Sequence, residues 1–169
     1  MNRCKKWILV ILVLVAVIAG TQPAQAKQMS KRRTKVANQV YRVVRDNWNN
    51  YGCYPSICIA IGVAESGLGE ACRGWNMWGI CQGRRRFDTV KSGAIGYMLV
   101  INNGYYPGAP HAKSAYKQLK AIVKGDYYGG SHSWYRQHIW SIVKLYNLKR
   151  YDKKMKAWLK RKEGSVRYE

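Results

Sequence analysis

The stretch Tyr54-Pro55-Ser56-Ile57-Cys58-Ile59-Ala60-Ile61-Gly62-Val63-Ala64-Glu65-Ser66-Gly67 decides the fold. Proline suits the first position of a helix, where the missing N–H would have no partner anyway, and Gly67 suits the exit. Between them apolar residues fall on every side rather than on one stripe, which predicts a helix buried all round. Such a helix needs neighbours, and the flanking sequence supplies them at helical spacing. Val36, Val40, Val43, Val44 and Trp48 predict a first helix over 30–48, with a basic outer face. Asp88-Thr89 can cap a third helix through Ile101, and 112–124 predicts a fourth carrying Tyr116, Leu119, Ile122 and Val123. Ser133 can cap a fifth helix through Leu148, and 152–162 predicts a last, basic one with Met155, Trp158 and Leu159 on one face. From Gly67 to Phe87 five glycines and no helical period predict a cleft-lining loop with at most a short hairpin. The expected class is therefore all-α with a minimal β-hairpin, built around one buried central helix.

The chain opens on Met1-Asn2-Arg3-Cys4-Lys5-Lys6, runs through 14 mostly apolar residues from Trp7 to Gly20, and reaches Ala24-Gln25-Ala26 before Lys27. A charged start, a short apolar run and a small-x-small site make a secretory signal peptide, whereas a membrane span would want about 20 apolar residues. We expect residues 1–26 to be removed and the remainder to work secreted or in the cell envelope, with no stable membrane span. That remainder holds 27 Lys and Arg against 8 Asp and Glu, a net charge of +19, and so expects an anionic partner. For an exported protein this points to anionic cell-wall polymers rather than to nucleic acid. Its 143 residues fit one domain over 27–152, followed by a basic helix or tail over 153–169.

Cys53, Cys58, Cys72 and Cys81 are an even set that suits an oxidising compartment. Their spacing lacks the paired C-x₂₋₄-C form of a zinc site, and no metal or other cofactor is expected. With Pro55 as the first helical residue, Cys53 and Cys58 fall on the two positions that touch in a hydrophobic staple. This predicts a Cys53–Cys58 disulfide and leaves Cys72 to pair with Cys81.

Of eight carboxylates, Glu65 alone ends an apolar helix. Burial and the negative end of the helix dipole both disfavour a charged carboxylate there, so Glu65 can hold a proton for a leaving oxygen, as a glycosidase acid must. Nearby Lys or Arg would oppose this, and a surface glutamate that merely ends a helix is the plain alternative. Trp75, Trp78, Tyr105, Tyr106, Tyr127 and Tyr128 cluster where a sugar cleft would lie, and flat rings suit the apolar faces of pyranoses. His111, His132 and His138 have no cysteine or serine at a spacing that would make a nucleophile.

The run from Tyr54 to Gly69, with Glu65-Ser66-Gly67-Leu68-Gly69 at its end and Asn76-Met77-Trp78-Gly79-Ile80 after it, resembles the N-acetylglucosaminidase domain of glycoside hydrolase family 73. Arg86-Phe87-Asp88-Thr89-Val90 and the segment from Asp126-Tyr127-Tyr128-Gly129 through Tyr135 resemble later elements of that family, so the likeness covers roughly 31–152. The resemblance implies a lysozyme-like helical domain that cleaves peptidoglycan after N-acetylglucosamine, with Glu65 as general acid. It also implies Asn76, Trp78, Tyr127, Tyr128 and Tyr135 as substrate-binding residues. Family members often carry a second acidic residue in a longer hairpin, but here Cys81-Gln82-Gly83-Arg84-Arg85-Arg86 holds none. Asp88 is the candidate for that role, with helix capping as its alternative. If no second carboxylate serves, the sugar's own N-acetyl oxygen is the expected nucleophile. Two other readings stay open: a lytic transglycosylase or muramidase, and a non-catalytic cationic wall-binding protein.

Overall fold

A computed structural model describes residues 26–165. The expected leader lies outside the described residues except for Ala26, as does the extreme C-terminus. Among the described residues seven helices follow in order: α1 Lys31–Asp46, α2 Trp48–Tyr51, α3 Pro55–Ser66, α4 Val90–Ile101, α5 Ala115–Lys124, α6 His132–Leu145 and α7 Lys149–Ser165. There is no strand among the described residues, and no described helix is long and apolar enough to cross a membrane.

The central helix is α3. Its residues from Pro55 to Gly62 are all buried, and α1, α5, α6 and α7 pack around it while α4 covers α1. Pro55 holds the first position, and Gly67, with φ of 62°, leaves the helix in the left-handed region where a side chain is strained. The N-cap residue Tyr54 makes no side-chain cap. Two distant side chains do that work instead. Asp152 accepts from the Ser56 backbone N–H at 2.9 Å and from the Ser56 hydroxyl at 2.6 Å. Gln118 accepts from Tyr54 N–H at 2.8 Å and donates to the Gly52 and Ala109 carbonyls. The orphan donors of the buried helix end are thus satisfied by α5 and α7.

Several boundaries differ from the sequence expectations. Ser30 caps α1 and Thr89 caps α4, the latter in a reciprocal pair with Ser92, so Asp88 stands outside the cap. Helix α5 begins three residues later than expected because Ser114 accepts from Lys117 N–H. The last helix begins at Lys149, which puts Asp152 in its first turn and carries the helix through the expected division after 152. Met155, beyond that division, is fully buried in the core.

The expected disulfides are corrected: Cys53, Cys58, Cys72 and Cys81 are free thiols. Cys53 and Cys58 flank the start of α3 and are both buried, where they pack as small apolar side chains. The Cys53 thiol faces the Tyr51 carbonyl at 3.6 Å. Burial pushes it up to about 12 and pushes Cys58 well above its ordinary range. Cys72 donates to the Gly74 carbonyl at 3.0 Å, while Cys81 is exposed in a left-handed turn.

Candidate active site

The cleft is built from the end of α3, the 67–87 loop and the start of α6. Ser66 ties the loop to the helix: its hydroxyl lies 3.1 Å from both the Gly62 and Met77 carbonyls and accepts from Gly69 N–H at 3.0 Å. Asn76, buried, folds the rest. Its amide donates to the Ile80 and Arg85 carbonyls and its oxygen accepts from Ile80 N–H, all at 2.9 Å. These bonds occupy backbone groups that a hairpin ladder would have paired. Gly79, Cys81, Gln82 and Gly83 all have φ between 54° and 76°, which no strand adopts. The expected hairpin is therefore a chain of turns. Asn76 organises the loop rather than offering its amide to a ligand.

Trp78 also has a structural place. It is 1 % exposed, donates from its indole to the Cys58 carbonyl at 2.8 Å and stacks on Tyr97 at 5.3 Å. Only part of it reaches the cleft wall. Its backbone carbonyl accepts from the Tyr127 hydroxyl at 2.7 Å, which ties the loop to the segment before α6.

Glu65 lies on the last turn of α3, where the helix has come to the surface, and it is exposed. The expectation that burial would disfavour its charge is corrected, because the all-round apolar run ends one turn earlier. Tyr135 of α6 donates its hydroxyl to Glu65 Oε1 at 2.7 Å. The other oxygen, Oε2, faces Gly79, where a Cβ would lie 3.5 Å away. Tyr135 and Tyr127 are both held in the phenol form: burial raises each well above the usual range, and the Glu65 charge adds to it.

Two grooves meet at this carboxylate. One, of about 670 Å³, is walled by Tyr106, Tyr127, Tyr128, Val100 and Ile80. The other, of about 330 Å³, is walled by Arg73, Arg84, Asn76 and Ser66. Glu65, Gly79 and Gln82 belong to both. Among the described residues no other carboxylate lines either groove. Asp88 instead lines a separate surface groove with Trp75, Gln39 and Arg42, and Asp126 pairs with His132 at 3.0 Å. Glu70 pairs with Arg33, whose guanidinium first holds its carboxyl below the usual range.

From Glu65 outward the rings form a ladder. Tyr135 stacks on Tyr128 at 4.5 Å and 5°, Tyr128 lies 5.8 Å from Trp134, and Trp134 stacks on His138. Of the expected substrate residues, Tyr127, Tyr128 and Tyr135 thus gather at Glu65. Gly79, Arg73, Arg84 and the exposed Trp134 were not foreseen. The run Arg84 to Arg86 was the available signal for Arg84, but charge alone does not say which groove a side chain enters.

No family model and no curated protein sequence matches the chain. Among solved structures, the chain is similar to the catalytic domain of the autolysin Auto from Listeria monocytogenes, with a TM-score of 0.58 and 19% identity. The match covers 76% of this chain and 92% of that domain. The two share a fold. At this identity the likeness is one of architecture, and the cleft described above stands on its own geometry.

Proposed function

We propose that the chain is an exported peptidoglycan hydrolase of the β-N-acetylglucosaminidase type, with Glu65 as its proton donor. The observation that carries this reading is the position of Glu65 where two open grooves meet, with Oε1 occupied by Tyr135 and Oε2 left facing the junction. A long polymer can cross such a junction with units on both sides of the carboxylate. The aromatic arm suits pyranose faces. The basic arm suits the carboxylates of stem peptides, for which Arg73 and Arg84 supply guanidinium forks. The fold likeness to an autolysin catalytic domain supports a wall substrate.

With no second carboxylate among the described residues of the grooves, the chemistry favours substrate assistance. Glu65 Oε2 gives its proton to the glycosidic oxygen as the C1–O bond breaks, and the carbonyl oxygen of the sugar's own N-acetyl group bonds to C1. Glu65, now a base, takes a proton from water that opens this ring, giving retained configuration and restoring the acid. Tyr135 fixes the carboxyl plane throughout. Digestion of purified peptidoglycan, with the fragment ends read by mass, tests the reading, with reducing N-acetylglucosamine expected. Anhydro-muramic ends would make the protein a transglycosylase, reducing muramic ends a muramidase, and binding without fragments a wall binder. Glu65→Gln is expected to fold and to abolish fragment release.

A further inference from the structure

We propose that the groove between α1 and the α6–α7 junction binds a linear phosphodiester polymer without bases, at a site separate from the Glu65 cleft. The groove encloses about 740 Å³ and is lined by Lys27, Lys31, Lys35, Arg42 and Arg150, with no carboxylate among the described residues that line it. All five cations are exposed. Lys31, Lys35, Asn38 and Arg42 follow each other at four-, three- and four-residue steps, so they make one stripe along α1, about 16 Å long at 1.5 Å per residue. A row of charges of this length matches a chain of repeated phosphates better than a single small anion. The facing wall holds Arg150, and the segment before α1 is pinned to the end of α6 by Lys27 N–H on the Leu145 carbonyl at 2.8 Å. Asn38 accepts from the Tyr151 hydroxyl at 3.1 Å, which leaves its amide N–H groups for a ligand oxygen.

An independent feature of α1 points the same way. Lys31, Arg32 and Arg33 occupy its first turn, which has no acidic residue, although the helix dipole is positive there. Lys31 and Lys35 are a like-charge pair at i, i+4, which also opposes the helix. Of the three first-turn cations only Arg33 has a carboxylate partner among the described residues, Glu70. A local conflict of this kind, left uncorrected, is the mark of a surface kept for binding.

The shape selects the class of ligand. A lipid surface wants cations on a convex face with apolar side chains to insert, but these line a concavity. Single-stranded nucleic acid wants exposed rings for its bases, and the one ring among the described residues that line this groove, Tyr146, is buried. The rival basic groove beside α5 mixes its lysines with Pro107, Ala121 and Val123, and its His132 already holds Asp126.

The test measures binding of purified poly(glycerol phosphate) to the purified protein and to three triple variants of equal charge change. These are Lys31→Gln/Lys35→Gln/Arg42→Gln in the groove, Lys117→Gln/Lys120→Gln/Lys124→Gln on α5, and Lys153→Gln/Lys154→Gln/Lys160→Gln on α7. Thermal melting confirms that each is folded. The α1 triple is expected to lower the slope of log K against log salt by about 2, from three contacts at roughly 0.7 each, and to weaken binding about tenfold or more. The other two should change affinity less than about threefold. Equal losses in all three, or a loss confined to α5 or α7, overturn the site. Oligothymidine or phosphatidylglycerol vesicles that bind more tightly than the polymer, and lose that binding in the α1 triple, overturn the class.

Discussion

Replacing Asp152 with alanine asks what holds the helix that carries Glu65. Asp152 accepts two hydrogen bonds from Ser56, at 2.9 and 2.6 Å, and Ser56 is fully buried. Removal strands a backbone N–H and a hydroxyl inside the protein, and each stranded donor costs about 1–3 kcal/mol, so a loss of about 3 kcal/mol is expected. At roughly 2–6 °C per kcal/mol for a domain of this size, the melting temperature should fall by about 10 °C by circular dichroism. Asp152→Asn keeps an acceptor for the N–H and lets the hydroxyl accept, so about 1 kcal/mol is expected. Titration sharpens the comparison. Burial raises the Asp152 carboxyl above its usual range, against the opposing pull of the Ser56 bonds and of Lys156 and Lys149. A folded-state value above the unfolded one gives stability that is complete below the unfolded value, near about pH 4, and is lost as pH rises through the folded one. The margin of wild type over Asp152→Asn should therefore be widest in acid and shrink toward neutrality. A margin that widens with pH, or an alanine variant within about 1 kcal/mol of wild type, would refute the reasoning.

Tyr135→Phe removes the single bond that orients Glu65. A hydrogen bond to the charge that develops on Glu65 as it gives up its proton is worth about 1.5–3 kcal/mol, so turnover should drop roughly 10- to 150-fold with a much smaller change in melting, and unchanged turnover would detach Tyr135 from the chemistry. Gly79→Ala places a methyl beside Glu65 Oε2 at φ of 66°, and is expected to cost about 1–2 kcal/mol of stability and to reduce cleavage further than that loss explains. Full activity in a folded variant would show that the junction has room to spare. Alkylation of the native protein should label Cys81 first, Cys72 more slowly and Cys53 and Cys58 only after unfolding. Peptide mapping that finds a Cys53–Cys58 bridge would contradict the free thiols.

Much of the scaffold could be read from local chemistry. Pro55 and Gly67 bracket α3 to the residue because both signals act within one turn. At α1 the expected start, Ser30, is the cap and the helix begins one residue later. The site was harder. Motif order placed Trp78 on the cleft, yet a linear pattern does not say which way a side chain turns. Its indole packs by Gly62, where a Cβ would lie 3.4 Å from the ring nitrogen. Apolar composition extends the expected burial to Glu65, one turn beyond where the neighbouring helices cover α3. Asp152 was visible only as part of a C-terminal segment, since its partner Ser56 is 96 residues away. Tyr135 was legible only by resemblance, as no spacing rule joins it to a glutamate 70 residues earlier.

The distant capping of α3 also sets an order of events. Its last two acceptors arrive with Gln118 and Asp152, 64 and 96 residues after the groups they serve. Contacts so far apart form late, because the intervening chain must close as a loop first. While the chain is being made, the segment from Pro55 to Ala64 has no means of finishing its first turn. The lock on the helix that carries Glu65 therefore closes only when the final helix docks, and a chain interrupted before Lys149 carries the described residues that line the cleft and still lacks it.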